Sequence, residues 1–286
     1  MNVSAEAPTS SISAEDFERF REYFYRRSGI HFESTKRYFV DKRLIDRIQA
    51  AGCADFREYF SLLRFETSGR EWQRLVNEMT VNETYFMREH YQFDCMVQSM
   101  LPELVARKPR GEPMRIWIMP SSSGEEAYTV AMYLLERWPE LARWDVEIVS
   151  SDIDTRILAQ AEAGLYSPRA VHQLPAAWLQ KYFTREGENW RINRSLREVV
   201  AFTRVNLNER AEVAAYRNYD LVFCRNLLIY FDDASRRRAA EAFYDVLRPG
   251  GFICLGHSES MSRISSLFAI RKFAQAIVYQ KPLEQA

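Results

Sequence analysis

The chain has 286 residues, 47% of them hydrophobic and 27% charged, with thirty-nine basic residues balancing thirty-nine acidic ones. That length and composition support one large or two smaller packed cores and exclude wholesale disorder; a net charge of zero removes any whole-protein electrostatic case for nucleic acid. Four cysteines without paired spacing suggest no metal site. No apolar run approaches the roughly 18 residues of a membrane span, and Met1–Ser13 is too polar for a secretory leader, so a cytoplasmic location without membrane insertion is expected.

Residues Ala14 to about Glu78 read as helices. Ser13 with Asp16 forms a capping pattern, and Phe17, Phe20 and Phe24 recur at helical spacing. Gly29, Gly52 and Ser68-Gly69 punctuate further helices near Ser34–Ala51, Asp55–Phe65 and Arg70–Met79. After a connecting helix (His90–Arg107), a Pro- and Gly-containing break precedes a change of grammar. Strands are expected at Arg115–Met119, Asp145–Ser151, Val199–Val205, Tyr219–Cys224 and Gly251–Gly256, alternating with helices at about Gly124–Arg137 and Thr155–Ala163. A further segment, Phe273–Gln280, is placed as an edge. This alternation predicts an α/β, mostly parallel, doubly wound sheet. One interval breaks it: a hairpin turning at Gly187, within an inserted subdomain spanning about 168–197. The expected division is a helical domain over 1–84 and a sheet domain over 85–286.

Three stretches carry chemistry. After the first strand come small polar residues, Gly124 and then Glu125-Glu126 at a helix start. The loop lacks the Lys of a triphosphate site and the G-x-G-x-x-G of a dinucleotide site. Acids there suit a cationic group such as an ammonium, or simply complement the helix N-terminus; the loop alone leaves both open. After the second strand, Asp152 can accept two ribose hydroxyls while Asp154 caps the next helix. After the Tyr219–Cys224 strand, the polar pair Arg225-Asn226 reads as ligand-facing. Ammonium plus ribose without phosphate points to S-adenosylmethionine.

Taken together, Thr80-Val-Asn-Glu-Thr-Tyr-Phe-Met-Arg88, Ser122-Ser-Gly-Glu-Glu126 with Tyr128, Ser151-Asp-Ile-Asp154, Val205-Asn-Leu207, Phe223-Cys-Arg-Asn-Leu-Leu-Ile-Tyr-Phe231 and Gly256-His-Ser-Glu259 closely resemble the CheR family of chemotaxis receptor methyltransferases. The resemblance implies a Rossmann-like methyltransferase sheet with a small inserted β-subdomain behind an all-helical N-terminal domain. It implies methyl transfer from S-adenosylmethionine to receptor glutamates, giving γ-methyl esters and S-adenosylhomocysteine. Position by position, Asn82, Thr84 and Arg88 fall where the family reaches the cofactor. Glu125 matches the acid for the methionine ammonium, with Glu126 an adjacent competitor, and Asp152 matches the ribose acid. Asn206-Leu207 and Asn226-Leu227 match contacts around the adenine and the methionine end. Arg88 and Tyr230 match the pair facing the substrate glutamate, with no metal required.

Met119-Pro120-Ser121 departs from the family's small, Gly-containing loop. That departure motivates a second reading, a cofactor-binding but weakly active receptor-associated sensor or scaffold. A basic row on the second helix (Lys36, Arg43, Arg47) is the expected docking face for chemoreceptor helices. The short inserted hairpin implies independence from a receptor C-terminal pentapeptide, and the family's default is a monomer.

Overall fold

The computed structural model describes residues 12–283, so the polar opening segment 1–11 lies outside the described residues. The chain divides into two compact units between Val81 and Asn82. Among the described residues no helix is long and apolar enough to cross a membrane.

The first unit is four helices: α1 (Ala14–Ser28), α2 (Arg37–Ala50), α3 (Phe56–Phe65) and α4 (Arg70–Met79). The Ser13 hydroxyl accepts from the Asp16 amide and starts α1, and Gly29, in the left-handed region at φ 75°, ends it. Phe17, Phe20 and Phe24 are buried as the helical spacing requires, as are Val40, Leu44 and Ile48 of α2 and Trp72, Leu75 and Val76 of α4, and the Phe24 and Trp72 ring centres stand 5.2 Å apart. One charged group is buried there, Glu71. Both its oxygens take the Arg47 guanidinium at 2.7 Å, and the Tyr59 hydroxyl donates at 2.9 Å. This corrects the expected basic docking row. Arg47 is committed to Glu71, and Arg43 lies 3.5 Å over the Phe39 ring with its Nε on the Glu78 carbonyl. A charge reversal at either position would therefore read as lost packing. Lys42 on that helix and Lys36, just ahead of its first residue, are exposed cations.

The second unit is built on a seven-stranded sheet. Its strands, with those of a small side sheet, are β1 (Met114–Ile118), β2 (Val146–Asp152), β3 (Leu165–Tyr166), β4 (Phe183–Glu186), β5 (Asn189–Ile192), β6 (Val200–Arg204), β7 (Tyr219–Cys224), β8 (Leu247–Leu255), β9 (Ala269–Lys272) and β10 (Ile277–Gln280). The main sheet runs β6-β2-β1-β7-β8-β10-β9, parallel except for β10, which is antiparallel to both neighbours. Parallel strands need crossovers. These are supplied by α7 (Glu125–Arg137), α8 (Thr155–Ala163) and the helix Asp233–Val246 among others. All six residues of β7 are buried, as a central parallel strand covered on both faces demands. From β1 the chain winds outward to β2 and β6, whereas β7 and β8 lie on β1's other side. The order therefore reverses between β1 and β7, and in such sheets a ligand crevice opens beyond the carboxyl ends at that reversal.

Four details depart from expectation. The Phe273–Gln280 segment does not close the sheet: β10 lies inside, and β9, a short strand not foreseen, forms the edge. The connecting helix is interrupted. α5 (Tyr91–Cys95) passes through a π-helical turn, Met96–Met100, into α6 (Leu101–Val105), with Pro102 in its first turn, where a missing N–H is tolerated. β8 starts at Leu247, ahead of its Gly pair, and a register shift against β7 absorbs Pro249-Gly250-Gly251. The predicted hairpin turns at Gly187 as expected, but β3 adds a third strand to it, in the order β3-β5-β4.

At the amino end of the sheet Asp220 is fully buried. It binds Lys108 Nζ through both oxygens (2.9 and 2.8 Å) and accepts the Arg115 amide at 2.8 Å. That pair is far along β7 from the carboxyl edge, and its consequences are for stability.

Candidate functional site

The loop leaving β1 turns back sharply through two left-handed residues, Ser122 (φ 49°) and Gly124 (φ 89°). Gly124 is required on two counts. A side chain would be strained by φ, and its Cβ would stand 2.9 Å from the Ala161 Cβ and 3.2 Å from the Phe202 and Tyr128 rings. The turn is tied to the end of β2: the Ser122 amide donates to Asp152 Oδ2 at 2.8 Å, and the Asp154 amide donates to Asp152 Oδ1 at 3.0 Å. Burial raises the Asp152 carboxyl to about 6 against the opposing pull of those two amides. Asp154 caps α8 by accepting from the Arg156 and Ile157 amides, and it also accepts from the Asn82 side chain at 2.9 Å. Asn82 is thereby fixed beside the β2 tip.

The two acids of the loop have different surroundings. Glu126 is ion-paired with Arg225 at 3.0 Å, while its second oxygen, Oε1, is buried without a hydrogen-bond partner. Glu125 is 3% exposed and has only the Ser123 hydroxyl on its oxygens, at 2.9 and 2.7 Å. Burial raises its carboxyl, with the Ser123 bond opposing. Among the described residues no cation pairs with it. The Ser121 and Ser122 hydroxyls beside it are likewise buried without partners. Glu125 also lines an open cleft of about 560 Å3 together with Asn82, Thr84 and Ser167, within the volume range of small-molecule sites. A second cleft, of about 510 Å3, lies between the short helix Arg210–Val213 and the helix Asp233–Val246. Of the predicted site residues it holds Leu207 and neither Glu125 nor Asp152, whereas the first cleft holds Asn82, Thr84 and Glu125.

Arg88 sits between two residues in the left-handed region, Met87 (φ 65°) and Glu89 (φ 53°), an uncommon backbone for side chains of that size. Its guanidinium donates to the Glu83 carbonyl at 3.1 Å and lies 5.8 Å from the Tyr85 ring centre, leaving further donors for a ligand. Tyr230 is half-buried; burial raises its hydroxyl while the nearby Arg88 charge opposes the rise, which places these two predicted partners in one electrostatic neighbourhood.

Asn226 adopts φ 58° directly after β7, a conformation Asn tolerates better than most residues. Its amide, the Leu228 amide and the Gly256 amide all donate to the Glu259 carboxylate at 2.8 Å. Burial raises Glu259, with these three bonds opposing it. At Gly256 a Cβ would come within 2.7 Å of the Asn226 side chain, so the glycine admits the Asn. Asn206 is buried after β6, with its side-chain oxygen on the Asn208 amide at 3.1 Å and Leu207 packed beside it. The loops after β1, β2, β6 and β7 thus bring Glu125, Asp152, Asn206-Leu207 and Asn226-Leu227 to one edge of the sheet, and the 82–88 segment reaches that edge through the Asn82–Asp154 bond.

One residue escaped assignment from sequence, and another was given the wrong role. Glu259 organises the Asn226 turn; the signal was its place in Gly256-His-Ser-Glu259 directly after a strand. Arg225, expected to face a ligand, is 4% exposed and turned onto its own chain. Its guanidinium reaches the Arg88 carbonyl (2.5 Å), Glu126 (3.0 Å) and Glu89 (3.4 Å) and lies 5.2 Å from the Phe93 ring centre.

Comparison with known proteins agrees along both units. Residues 15–80 match the CheR methyltransferase all-alpha domain, and residues 82–277 match the CheR methyltransferase SAM binding domain. The chain is 52% identical to chemotaxis protein methyltransferase 2 of Vibrio cholerae serotype O1, over 95% of this chain and 94% of that protein. It is 34% identical to the chemotaxis protein methyltransferase of Salmonella typhimurium (91% and 89% covered) and 33% identical to that of Escherichia coli K12 (91% and 90%). The matched sheet domain is a SAM binding domain, and the chain belongs to the CheR family of chemotaxis protein methyltransferases.

Proposed function

We propose that this enzyme esterifies glutamate side chains of chemoreceptors, leaving γ-methyl esters and S-adenosylhomocysteine. The observation that carries the reading is the contrast between adjacent acids: Glu126 already holds Arg225, whereas Glu125 is buried, lines the cleft and has only a hydroxyl for company. A buried carboxylate without a cation is costly, and a ligand ammonium relieves that cost. The remaining donor set fits the same cofactor. Asp152 retains lone pairs for two ribose hydroxyls, and the unpartnered Ser121 and Ser122 hydroxyls can serve polar groups of the methionine end. Asn82, Thr84, Asn206-Leu207 and Asn226-Leu227 complete the cradle. When bound, S-adenosylmethionine supplies an electrophilic methyl on a sulfonium.

The chain's own contribution is positioning. A glutamate carboxylate is ionised near neutral pH, so no general base is needed. What remains is to hold one oxygen in line with the methyl and exclude water. Arg88 presents a fork of donors to the carboxylate and Tyr230 adds a hydroxyl. With methyl-labelled S-adenosylmethionine and receptor-containing membranes, label should appear on receptor and leave as methanol in mild base. Arg88→Ala should slow this about 100-fold, the cost of a misplaced nucleophile. Base-stable label would overturn the ester assignment, and full activity in Arg88→Ala would overturn its role.

Docking is assigned to the helical first unit, through exposed cations such as Lys36 and Lys42 meeting acidic receptor helices. The β4–β5 turn has only Gly187 and Glu188 between paired Glu186 and Asn189, so it offers little surface for a tethering peptide. An isolated receptor C-terminal pentapeptide should give no calorimetric binding up to about 1 mM, the weak end of specific affinity; micromolar binding would overturn the proposed independence from a tether.

A further inference from the structure

We infer that Arg225 is a positioning residue for the methyl-transfer reaction: buried beneath the site, it clamps the backbone at Arg88 so that the Arg88 side chain is aimed before substrate arrives. The inference rests on the role proposed above for Arg88.

The geometry points to this because a single guanidinium spans separate pieces of chain. One nitrogen donates to the Arg88 carbonyl at 2.5 Å and lies 3.4 Å from a Glu89 oxygen; another donates to Glu126 at 3.0 Å. The Phe93 ring lies 5.2 Å from its carbon, and its side chain is 1% exposed. Glu126 follows the β1 loop on α7, Arg88 and Glu89 lie on the segment entering α5, and Arg225 leaves β7. Three elements, among them the 82–89 segment and the start of α7 that line the cleft, are thus pinned to one rigid, planar, permanently charged group.

The clamped carbonyl lies in the middle of the unusual backbone. Met87 and Glu89, on either side of Arg88, both have left-handed φ, a conformation that persists only where the surroundings enforce it. Contacts that enforce it include the bond from Arg225 to the intervening carbonyl and the Met87 amide's bond to Thr129 Oγ1 at 3.3 Å. Burying a cation here requires carboxylates, and two supply the countercharge. Burial alone would raise the Glu89 carboxyl, but Arg225, together with the His257 ring at 3.1 Å, holds it below its usual range. The sequence placed Arg225 beside Asn226 as a ligand contact. The structure gives it a different task, holding the residue that meets the ligand.

The test is a double-mutant cycle on the full-length enzyme, with hydrogen exchange as an independent readout. Arg225→Gln should lower kcat about 30-fold while the S-adenosylhomocysteine affinity moves less than about 3-fold, because orientation and not binding is lost. In an Arg88→Ala background the same change should cost less than about 3-fold, the signature of two residues acting through one another. In the ligand-free enzyme, amide exchange of the peptide covering residues 85–93 should accelerate about tenfold in Arg225→Gln with the rest of the sheet unmoved. Arg225→Lys keeps the charge that Glu126 and Glu89 need for folding but lacks the second nitrogen for the Arg88 carbonyl. It should fold and still lose about 10-fold in kcat.

Undiminished kcat in Arg225→Lys, or full additivity with Arg88→Ala, would overturn the clamp. So would unchanged exchange across residues 85–93. If Arg88→Ala by itself left methyl transfer intact, the role proposed for Arg88 would fail instead, and the exchange data would still decide whether Arg225 holds that segment.

Discussion

Replacing Asp152 by alanine should weaken S-adenosylhomocysteine binding about 1000-fold, as expected for the loss of two hydrogen bonds to a charged acceptor at about 1.5–3 kcal/mol each. The loss is compounded because Asp152 does two jobs. Its oxygens hold the Ser122 and Asp154 amides, so removing it also releases the turn that carries Glu125 and the cap that holds Asn82. Calorimetry would read the affinity, and a change under tenfold would count against the ribose assignment. A pH dependence accompanies it. The carboxyl stands at about 6 in the ligand-free protein because burial disfavours its charge. Ribose hydroxyls donate best to the charged form, so binding expels the proton when the pH is below that value. Affinity should therefore hold above pH 6 and fall as pH drops, by about tenfold at pH 5. The sign for folding is the reverse. A carboxyl raised above its unfolded value near 3.9 takes up a proton on folding between those two values, so this group favours the native state more as pH falls through that window. Asp152→Asn should flatten its share of the binding slope, leaving that of Glu125, whose carboxyl burial also raises.

Much of this arrangement was legible in the chain because the residues announce their constraints locally. Ser151-Asp-Ile-Asp154 after an apolar run admits few conformations: one acid at a strand tip and one capping the next helix. Both are where the spacing put them. Gly124 before two acids signalled a loop running into a helix start, and the structure adds that the glycine is left-handed. What the sequence could not convey is which acid has a cation. Glu125 and Glu126 are neighbours of the same type, and the difference lies in Arg225, ninety-nine residues beyond Glu126 and brought back by the pairing of β1 with β7. Polar residues at a strand's end read as ligand-facing, yet a long side chain there can equally fold inward onto carboxylates from other loops. The same non-locality hid Glu259, whose three amide partners come from two separate loops. It also hid β9, a short, largely exposed edge strand without alternating burial. In the first unit, cations spaced to share a helix face misled for a related reason: spacing shows which side of α2 they share and not that Glu71 on α4 has claimed one of them.

Replacing Asp220 by alanine should destabilise the enzyme by about 3–5 kcal/mol, the usual cost of stranding one member of a buried ion pair, and lower the melting temperature by about 10 °C for a unit of this size. The Lys108 side chain is 3% exposed, and its two short bonds go to Asp220; the nearest other carboxylate, Glu112, is 3.9 Å away and half exposed. The Arg115 amide would lose its acceptor as well. Asp220→Asn keeps an oxygen for that amide and should cost less. Replacing both partners, Lys108→Met with Asp220→Leu, should cost less than Asp220→Ala alone, since no charge is then left buried. Cofactor binding offers the discriminating control. Asp220 lies at the amino end of β7, and the β1–β7–β8 ladders beyond it still hold Cys224 and the turn at Asn226. The alanine variant should therefore bind S-adenosylhomocysteine within about 2-fold of the parent, and a hundredfold excess over Kd should return about 2.7 kcal/mol of the lost stability. Asp152→Ala should show the opposite response to ligand, with no recovery at the concentration that rescues the Asp220 variant. Thermal melts of the two variants with and without ligand would separate the end of the sheet that holds the fold together from the end that binds. Equal behaviour in the two would refute that division.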